Sequence, residues 1–387
     1  MVGRPFEGGD EGHPGLVLAL PPLRSCFTVR PIDNEHFIFD RIHDLKAARE
    51  EWSVLALSSR NVFASWEWVS TWWDQYGDGR SLLATICRRF DGTPVAILPL
   101  YEAAAAPLRL LRFLGHGPGD QLGPIHAPGA TPIAARALRE LLGSGALAWD
   151  ALLAERLPGG SDWSGLLGGT VLWRGAVPLL DPEGNSWDEL LAARSSNFRE
   201  QARRRERKLA REHELSFRLT DDPSRLDDDL STLFSLHSAR WAGAGSGALE
   251  GERERFHRQF AALALERGWL RLWTMDIDGQ PAAAWYGLRF GGIEHYYQAG
   301  RDPAWDRYSA GFVLLVHTIR EALDSGVSHY SFGLGDEPYK DRFANADPGL
   351  ETVWVSRNLR GRVGLVTARV ALSLPTDVRK RVARLAG

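Results

Sequence analysis

The sequence predicts an α/β (α+β) protein built from mixed, mostly antiparallel sheets flanked by helices. Three observations lead there. Leu270, Leu272 and Thr274 alternate with Arg271, Trp273 and Met275, the period of a strand, and Asp278-Gly279 turns the chain into a second strand marked by Ala282, Ala284, Tyr286, Leu288 and Phe290. A third strand, Ile293 to Ala299, follows Gly291-Gly292. The period then changes. Phe312, Leu315, Ile319 and Leu323 fall on one helical face, Ser309 stands at the N-cap, Gly326 ends the helix, and His329 to Leu334 reads as a last strand. The third observation is a repeat: Asp91-Gly92-Thr93-Pro94-Val95-Ala96 is echoed 187 residues later by Asp278-Gly279-Gln280-Pro281-Ala282-Ala283, both at hairpin tips.

The remaining elements follow in order. Met1 to about Arg24 is rich in Gly and Pro and is expected to be disordered. Ile32 to Arg60 reads as a strand and a helix. Asn61 to Tyr76 reads as a second helix, with Phe63, Trp66, Val69 and Trp73 at helical spacing. So many tryptophans suit either a sugar-stacking face or a buried stripe, and the spacing favours the stripe. Leu82 to Phe90 and Pro94 to Tyr101 form a hairpin. After a strand-like Leu108 to Leu114, Gly115 to Asp120 is a Gly-rich loop. It contains Pro118 and lacks the Lys and Ser/Thr of a phosphate-binding loop, so it is expected to line a cleft, with His116 and Asp120 as minor candidates. Thr131 to Gly143 is helical, Trp149 to Glu155 a strand, Leu157 to Gly169 a loop and Leu172 to Leu180 a strand. Asp181-Pro182-Glu183-Gly184 is the expected boundary between a first domain, residues 25–180, and a second, 181–357. Trp187 to Glu212 reads as one long helix. Leu226 to Trp241 and Phe256 to Arg267 are two more, joined by a Gly-rich candidate lid, Ala242 to Gly251.

Composition narrows the class. A chain of 387 residues can bury two cores. Its 44% hydrophobic and 25% charged content is that of a soluble globular protein, and a net charge of −3 gives no footprint for DNA. Cys26 and Cys87 cannot form a disulfide framework, no metal spacing exists, and no metal is expected. No apolar run approaches the about 18 residues of a membrane span, and Gly15 to Pro22 lacks the basic flank of a signal peptide. A cytoplasmic protein is expected. The last stretch, 358–387, is basic. Arg360, Arg362, Arg369, Arg379, Lys380, Arg381 and Arg384 stand against Asp377, with Val363, Val366 and Val370 at helical spacing. It reads either as a tail packed on the second domain or as a contact for an anionic membrane's inner face or an assembly partner.

Several short motifs carry a resemblance. Gly300-Arg301-Asp302-Pro303, Ser309-Ala310-Gly311, and Phe332-Gly333 followed by Tyr339-Lys340 resemble the GNAT acyltransferase core. With Ser196-Asn197-Phe198-Arg199 and Arg240-Trp241 upstream, the chain is similar to the CelD/BcsL-type acetyltransferases of exopolysaccharide and cellulose biosynthesis. That branch is related to the Fem aminoacyltransferases that build peptidoglycan bridges. The resemblance implies tandem GNAT-like domains with the acceptor cleft between them. It also implies acetyl-CoA or another acyl-CoA as donor, and an amino sugar or polysaccharide or cell-envelope precursor as acceptor. Fem-like use of aminoacyl-tRNA is the variant, but no coiled-coil arm for tRNA is visible. A non-catalytic scaffold in polysaccharide assembly is the other alternative.

The resemblance also assigns candidates. Thioester acyl transfer needs an anchor for the pyrophosphate, a donor to the developing oxyanion, and a base for the acceptor. GNAT enzymes anchor pyrophosphate with [RQ]-x-x-G-x-[GA], and this chain has Arg307-Tyr308-Ser309-Ala310-Gly311-Phe312, with Ala310 in place of the first Gly and Gly311 out of register. Arg307, Ser309, Ala310 and Gly311 are the cofactor candidates. His295, Tyr297 and Asp336 are bases by type. Tyr339 and Lys340 complete the catalytic set, because Lys340-Asp341-Arg342-Phe343 matches the Lys-x-x-Phe of Fem enzymes. The bland reading of Lys340 is a surface residue paired with Asp336 or Asp341. Asn197, Arg199, Arg203, His237, Arg240 and Trp241 are the acceptor candidates. Arg199, Arg203 and Arg207 make one basic row and Arg204, Lys208 and Arg211 another, with Glu200, Glu206 and Glu212 available to neutralise a solvated face.

Overall fold

The computed structural model describes residues 36–240, 249 and 251–373, without the Arg240 side chain. The expected disordered N-terminus, Trp241, most of the candidate lid and the end of the basic tail lie outside these residues.

The first half runs β1 (Ile38–Arg41), α1 (Arg49–Ser59), α2 (Trp66–Tyr76), β2 (Ser81–Leu82), β3 (Thr85–Arg88), β4 (Pro94–Leu98), β5 (Leu100–Ala103) and β6 (Leu110–Phe113). It continues with α3 (Thr131–Gly143), β7 (Ala151–Pro158), α4 (Trp163–Leu167), β8 (Thr170–Gly175) and β9 (Leu179–Leu180). The second half runs α5 (Trp187–Ala192), α6 (Ser196–Glu212), β10 (Leu215–Leu219), α7 (Leu226–Arg240), α8 (Glu252–Glu266), β11 (Leu270–Ile277), β12 (Gln280–Phe290) and β13 (Ile293–Arg301). Then come α9 (Ala310–Asp324), β14 (His329–Ser331), β15 (Leu350–Ser356) and α10 (Leu359–Ser373).

One large sheet has the order β2-β5-β6-β7-β15-β8 and the other β10-β11-β12-β13-β14-β9, with β1-β3-β4 as a small third. Each large sheet repeats one plan. An antiparallel pair leads through a helix to a parallel strand: β5-β6 through α3 to β7, and β12-β13 through α9 to β14. The two sheets also exchange strands. Leu179–Leu180 pairs with β14, and Leu350–Ser356 lies between β7 and β8. The halves share a core. Trp68, fully buried on α2, meets Phe256 and Phe260 of α8 edge-on, with ring centroids 4.9 and 4.7 Å away, and also Tyr297 of β13. Trp68 and Trp72 are the deepest indoles of this helix, so its tryptophans are core.

Some local expectations are corrected. The long helix from Trp187 breaks between Ala192 and Ser196, because Ser195 Oγ accepts from Phe198 N–H and starts a new helix. The Leu157 to Gly169 loop contains α4, capped by Asp162, whose side chain accepts from Gly165 N–H. Ser309 occupies the N-cap of α9 in a left-handed conformation (φ 58°) and its side chain makes no capping bond. The last strand pairs over His329–Ser331 alone and stops before Phe332.

Candidate active site

The site follows from how β13 and β14 part. They are hydrogen-bonded only from Ile293–His295 to His329–Ser331, and β13 then runs on to Arg301 while the chain leaves β14 through Gly333. Gly333 has φ +67°, and a Cβ there would lie 2.7 Å from the Tyr296 carbonyl oxygen, so only glycine fits this close approach. On its other edge β13 carries a bulge. Tyr286 pairs with Gln298 and Gly287 with Tyr296, leaving Tyr297 as the extra residue. Its hydroxyl donates to the Pro118 carbonyl at 3.0 Å and ties the Gly115 to Asp120 loop to the second sheet.

Two cavities sit at this parting and share Tyr296 and Tyr339. The first, about 420 Å³, is largely apolar and runs between β12, β13 and the start of α9, lined by Trp285, Gly300, Ser309, Gly311, Phe312 and Leu315 among others. Phe312 and Val313 N–H already donate to the Ser309 carbonyl, so only the N–H groups ahead of them are left at the start of α9, and Ser309 and Gly311 bring that helix end to the cavity wall. Three guanidiniums stand around it. Arg301 lines the wall and pairs with Asp306 at 2.6 Å. Arg205 of α6 lies 4.6 Å from the centre of the Phe312 ring, and Arg342 lies 5.8 Å from the same ring. Arg342 also donates to Gln201, but among the described residues no carboxylate pairs with Arg205, whose pKa is lowered by burial and then by Arg342 and Arg204. Two cations at one ring, neither paired with a carboxylate among the described residues, make a place for an anion, while the Asp306 carboxylate in the same cavity wall is taken by Arg301.

The second cavity, about 240 Å³, is charged, with Asp120, Arg156, Arg253, Glu337 and Lys340 in its wall. Burial raises the Asp120 carboxyl above its ordinary range, while Arg156, the Leu334 N–H and Lys340 act against this. Arg156 Nη1 stands 3.6 Å from Asp120 Oδ1. A half-buried carboxyl with a raised pKa at a cavity wall is suited to accept a proton. Lys340 is 2% exposed and is not the surface lysine of the bland reading. Its Nζ donates to Leu334 O at 2.9 Å and, more loosely, to Gly333 O and Gly335 O at 3.4 Å, and pairs with Glu337 at 2.8 Å, not with Asp336 or Asp341. A Cβ on Gly335 would crowd this ammonium at 3.2 Å and Glu337 more closely still.

The other predicted residues divide. Ser309, Gly311 and Tyr339 line the first cavity, and Tyr339 and Lys340 the second. Arg307 is exposed and lies over the Tyr308 ring, outside the cavity, and Ala310 is buried in the core beneath α9. Asp336 is exposed and lines neither cavity; Glu337 is the acid that does. His295 faces a third cavity, with His329 and Asp120, and burial pushes its pKa down to about 4. His237 is buried on α7, against β12 and β13. Asn197 is exposed and accepts from Gln201. Arg199 closes the α5–α6 break by donating to Ala192 O and Arg194 O. Arg203 pairs with Asp188 at 3.6 Å and with Arg207 lines a separate groove between α5, α6 and α9. Cys87 is fully buried, with its thiol pushed up to about 12 by burial and then Glu140, which leaves it no nucleophile.

Sequence reasoning missed Arg205, Arg342, Arg301 and Asp120's neighbour Arg156. Arg205 belongs to neither basic row, and its signal was its four-residue spacing from the helix-facing Gln201 and Leu209. Arg301 lies within Gly300-Arg301-Asp302-Pro303, where the signal is the motif itself.

Residues 196–341 match the acetyltransferase (GNAT) domain family, a span that holds both cavities' second-half walls. Solved structures support the same fold. The crystal structure of FemX is 12% identical and covers 85% of this chain and 100% of its own, with a TM-score of 0.59. A domain from Agrobacterium fabrum described as belonging to a lysylphosphatidylglycerol synthetase is 12% identical, covers 84% and 97%, and has a TM-score of 0.53. A conserved protein of unknown function from Bacteroides thetaiotaomicron is 14% identical, covers 82% and 99%, and has a TM-score of 0.52. No curated protein sequence matches. The chain therefore carries a GNAT acetyltransferase domain in a mixed α/β fold, and it is an acyltransferase. Its residues fit an acyl-CoA: a long apolar cleft, a helix start at the wall and arginines at Phe312. No metal-binding cluster exists among the described residues.

Proposed function

We propose that the protein transfers an acyl group, acetyl in the first instance, from acyl-CoA to an amine or hydroxyl of an amino sugar or a polysaccharide or cell-envelope precursor. This is the chemistry of the CelD/BcsL-type branch. The carrying observation is the pair of adjacent cavities, one apolar beside a helix N-terminus and one charged, that share Tyr296 and Tyr339 in their walls. The α9 start, Arg205 and Arg342 would hold the anionic part of the donor. The acceptor would enter on the Asp120 side. Its nitrogen or oxygen attacks the thioester carbon, Asp120 takes its proton, and the C–S bond breaks with the thiolate leaving. Tyr339, which lines both cavities, would protonate that sulfur or donate to the carbonyl oxygen. Lys340 shapes the loop on which Tyr339 lies.

Calorimetric titration with acetyl-CoA, followed by thiol release with a panel of amino sugars and nucleotide-linked sugars, tests this. Micromolar donor binding and acceptor-dependent thiol release support it. Binding without thiol release would favour the scaffold reading, and no binding at millimolar acetyl-CoA would refute it. Aminoacyl transfer is the second reading, favoured by a fold likeness that spans the whole FemX chain. Aminoacyl transfer from charged tRNA, with no acetyl-CoA binding, would establish it instead.

A further inference from the structure

The helix α10 packs on the first large sheet through only one of its sides. Gly361, Gly364, Leu365 and Ala368 face inward: Gly361 is buried, with no room for a Cβ against the Asp150 backbone, and Leu365 and Ala368 join Trp354, Leu110 and Leu172. Directly opposite, Leu359, Val363, Val366 and Val370 form a line at four- and three-residue spacing, and they are 75%, 59%, 62% and 56% exposed. Such a line of four exposed β-branched and leucine side chains is not a scatter of single surface apolar residues.

The charges are placed to match. At 100° per residue, Arg360 falls on one flank of the stripe and Arg362 and Arg369 on the other, and no Asp or Glu occurs from Leu359 to Ser373. The sequence that follows carries Arg379, Lys380, Arg381 and Arg384 against Asp377 alone. The chain as a whole has a net charge of −3, so this basic segment is a local feature that the composition does not require.

We infer that the outer face of α10 is a docking surface for an anionic lipid bilayer. The valines and Leu359 enter the headgroup–acyl boundary, and the flanking arginines meet phosphate groups. A helix lying in an interface needs an apolar strip flanked by cations and free of carboxylates, and α10 presents this while its inner side stays anchored by two glycines. A second copy of the chain would also cover the apolar line, but it would bring the same arginines face to face, which repel. An anionic surface neutralises them. No helix among the described residues is long and apolar enough to cross a membrane.

The test is cosedimentation of the full chain with vesicles of phosphatidylcholine alone or with 30% phosphatidylglycerol as the probe. Wild-type protein should bind the anionic vesicles and lose them as salt rises, since the attraction is screened. Val363→Asp with Val366→Asp should weaken binding at least tenfold, and Arg360→Gln with Arg362→Gln and Arg369→Gln on the order of fivefold per arginine removed. All five positions sit on the exposed side or flanks of the helix, and an unchanged thermal melt verifies that each variant is folded. Equal binding to both vesicle types, or binding unaffected by Val363→Asp with Val366→Asp, overturns the inference. So does a concentration-dependent dimer that the aspartate variant dissolves while vesicles bind nothing; the face then belongs to a second copy.

Discussion

Replacing Lys340 with methionine keeps the length of the side chain and removes its ammonium. Lys340 is 2% exposed, and its shortest bond is the 2.9 Å contact to the Leu334 carbonyl. A hydrogen bond from a charged donor to a buried carbonyl contributes about 1.5–3 kcal/mol. The Glu337 partner is 52% exposed and adds less than about 1 kcal/mol, and the two 3.4 Å contacts add little. The loss should therefore be about 2 kcal/mol, or about 3 °C in Tm for a unit of this length. The cost arises because the ammonium holds the carbonyls of Gly333, Leu334 and Gly335 in place. Hydrogen exchange separates the two roles. If Lys340 pins the loop, amides from Gly333 to Phe343 should lose protection in Lys340→Met, and kcat should fall with them, while calorimetric affinity for acetyl-CoA changes less than about twofold. If Lys340 donates directly to the oxyanion, kcat should fall by about 10²–10³ with loop protection intact. Unchanged protection, melting temperature and kcat together would refute both roles and the reading of this loop as the site's closure.

Further outcomes follow from the same geometry. Gly333→Ala forces an L residue to φ +67° and sets its Cβ 2.7 Å from the Tyr296 carbonyl, so it should lower stability by about 2–4 kcal/mol in chemical denaturation, and a neutral result would mean the loop can move aside. Arg205→Ala should weaken acetyl-CoA binding about tenfold, whereas Arg203→Glu, in the separate groove, should leave it within about twofold; the reverse order in calorimetry would return the anion site to the outer row of α6. Burial, with the Arg253 and His237 charges, holds the His257 imidazole down to about 3. The unfolded chain takes up a proton below about pH 6.5 that the folded one refuses. Stability should therefore fall as pH drops from 6.5 towards 3, by up to about 1.4 kcal/mol per pH unit for this group. Denaturation from pH 7 to pH 5 should show a shallower slope in His257→Phe, and an identical slope would show that the group is not kept neutral.

The sequence by itself determined the parts of this protein that local chemistry controls. The strands from Leu270 to Ala299, their Asp-Gly and Gly-Gly turns, and the apolar face of α9 were all legible, because strand and helix periods and turn residues act over a few positions. The helix N-terminus at Ser309 and Gly311 was legible for the same reason. Tertiary structure decided what each side chain faces. Tyr339 and Lys340 reach the site because β14 stops after Ser331 and the chain turns away at Gly333, which no local pattern announces. Leu350–Ser356 pairs with Ala151–Pro158, roughly two hundred residues earlier, a pairing that local propensity cannot encode. The basic helix α6 gave seven cations with no indication of which would matter. Only its packing on α9 turned Arg205 to the Phe312 ring and left Arg203 in another groove, since burial of one helical face fixes the rotation of all the others.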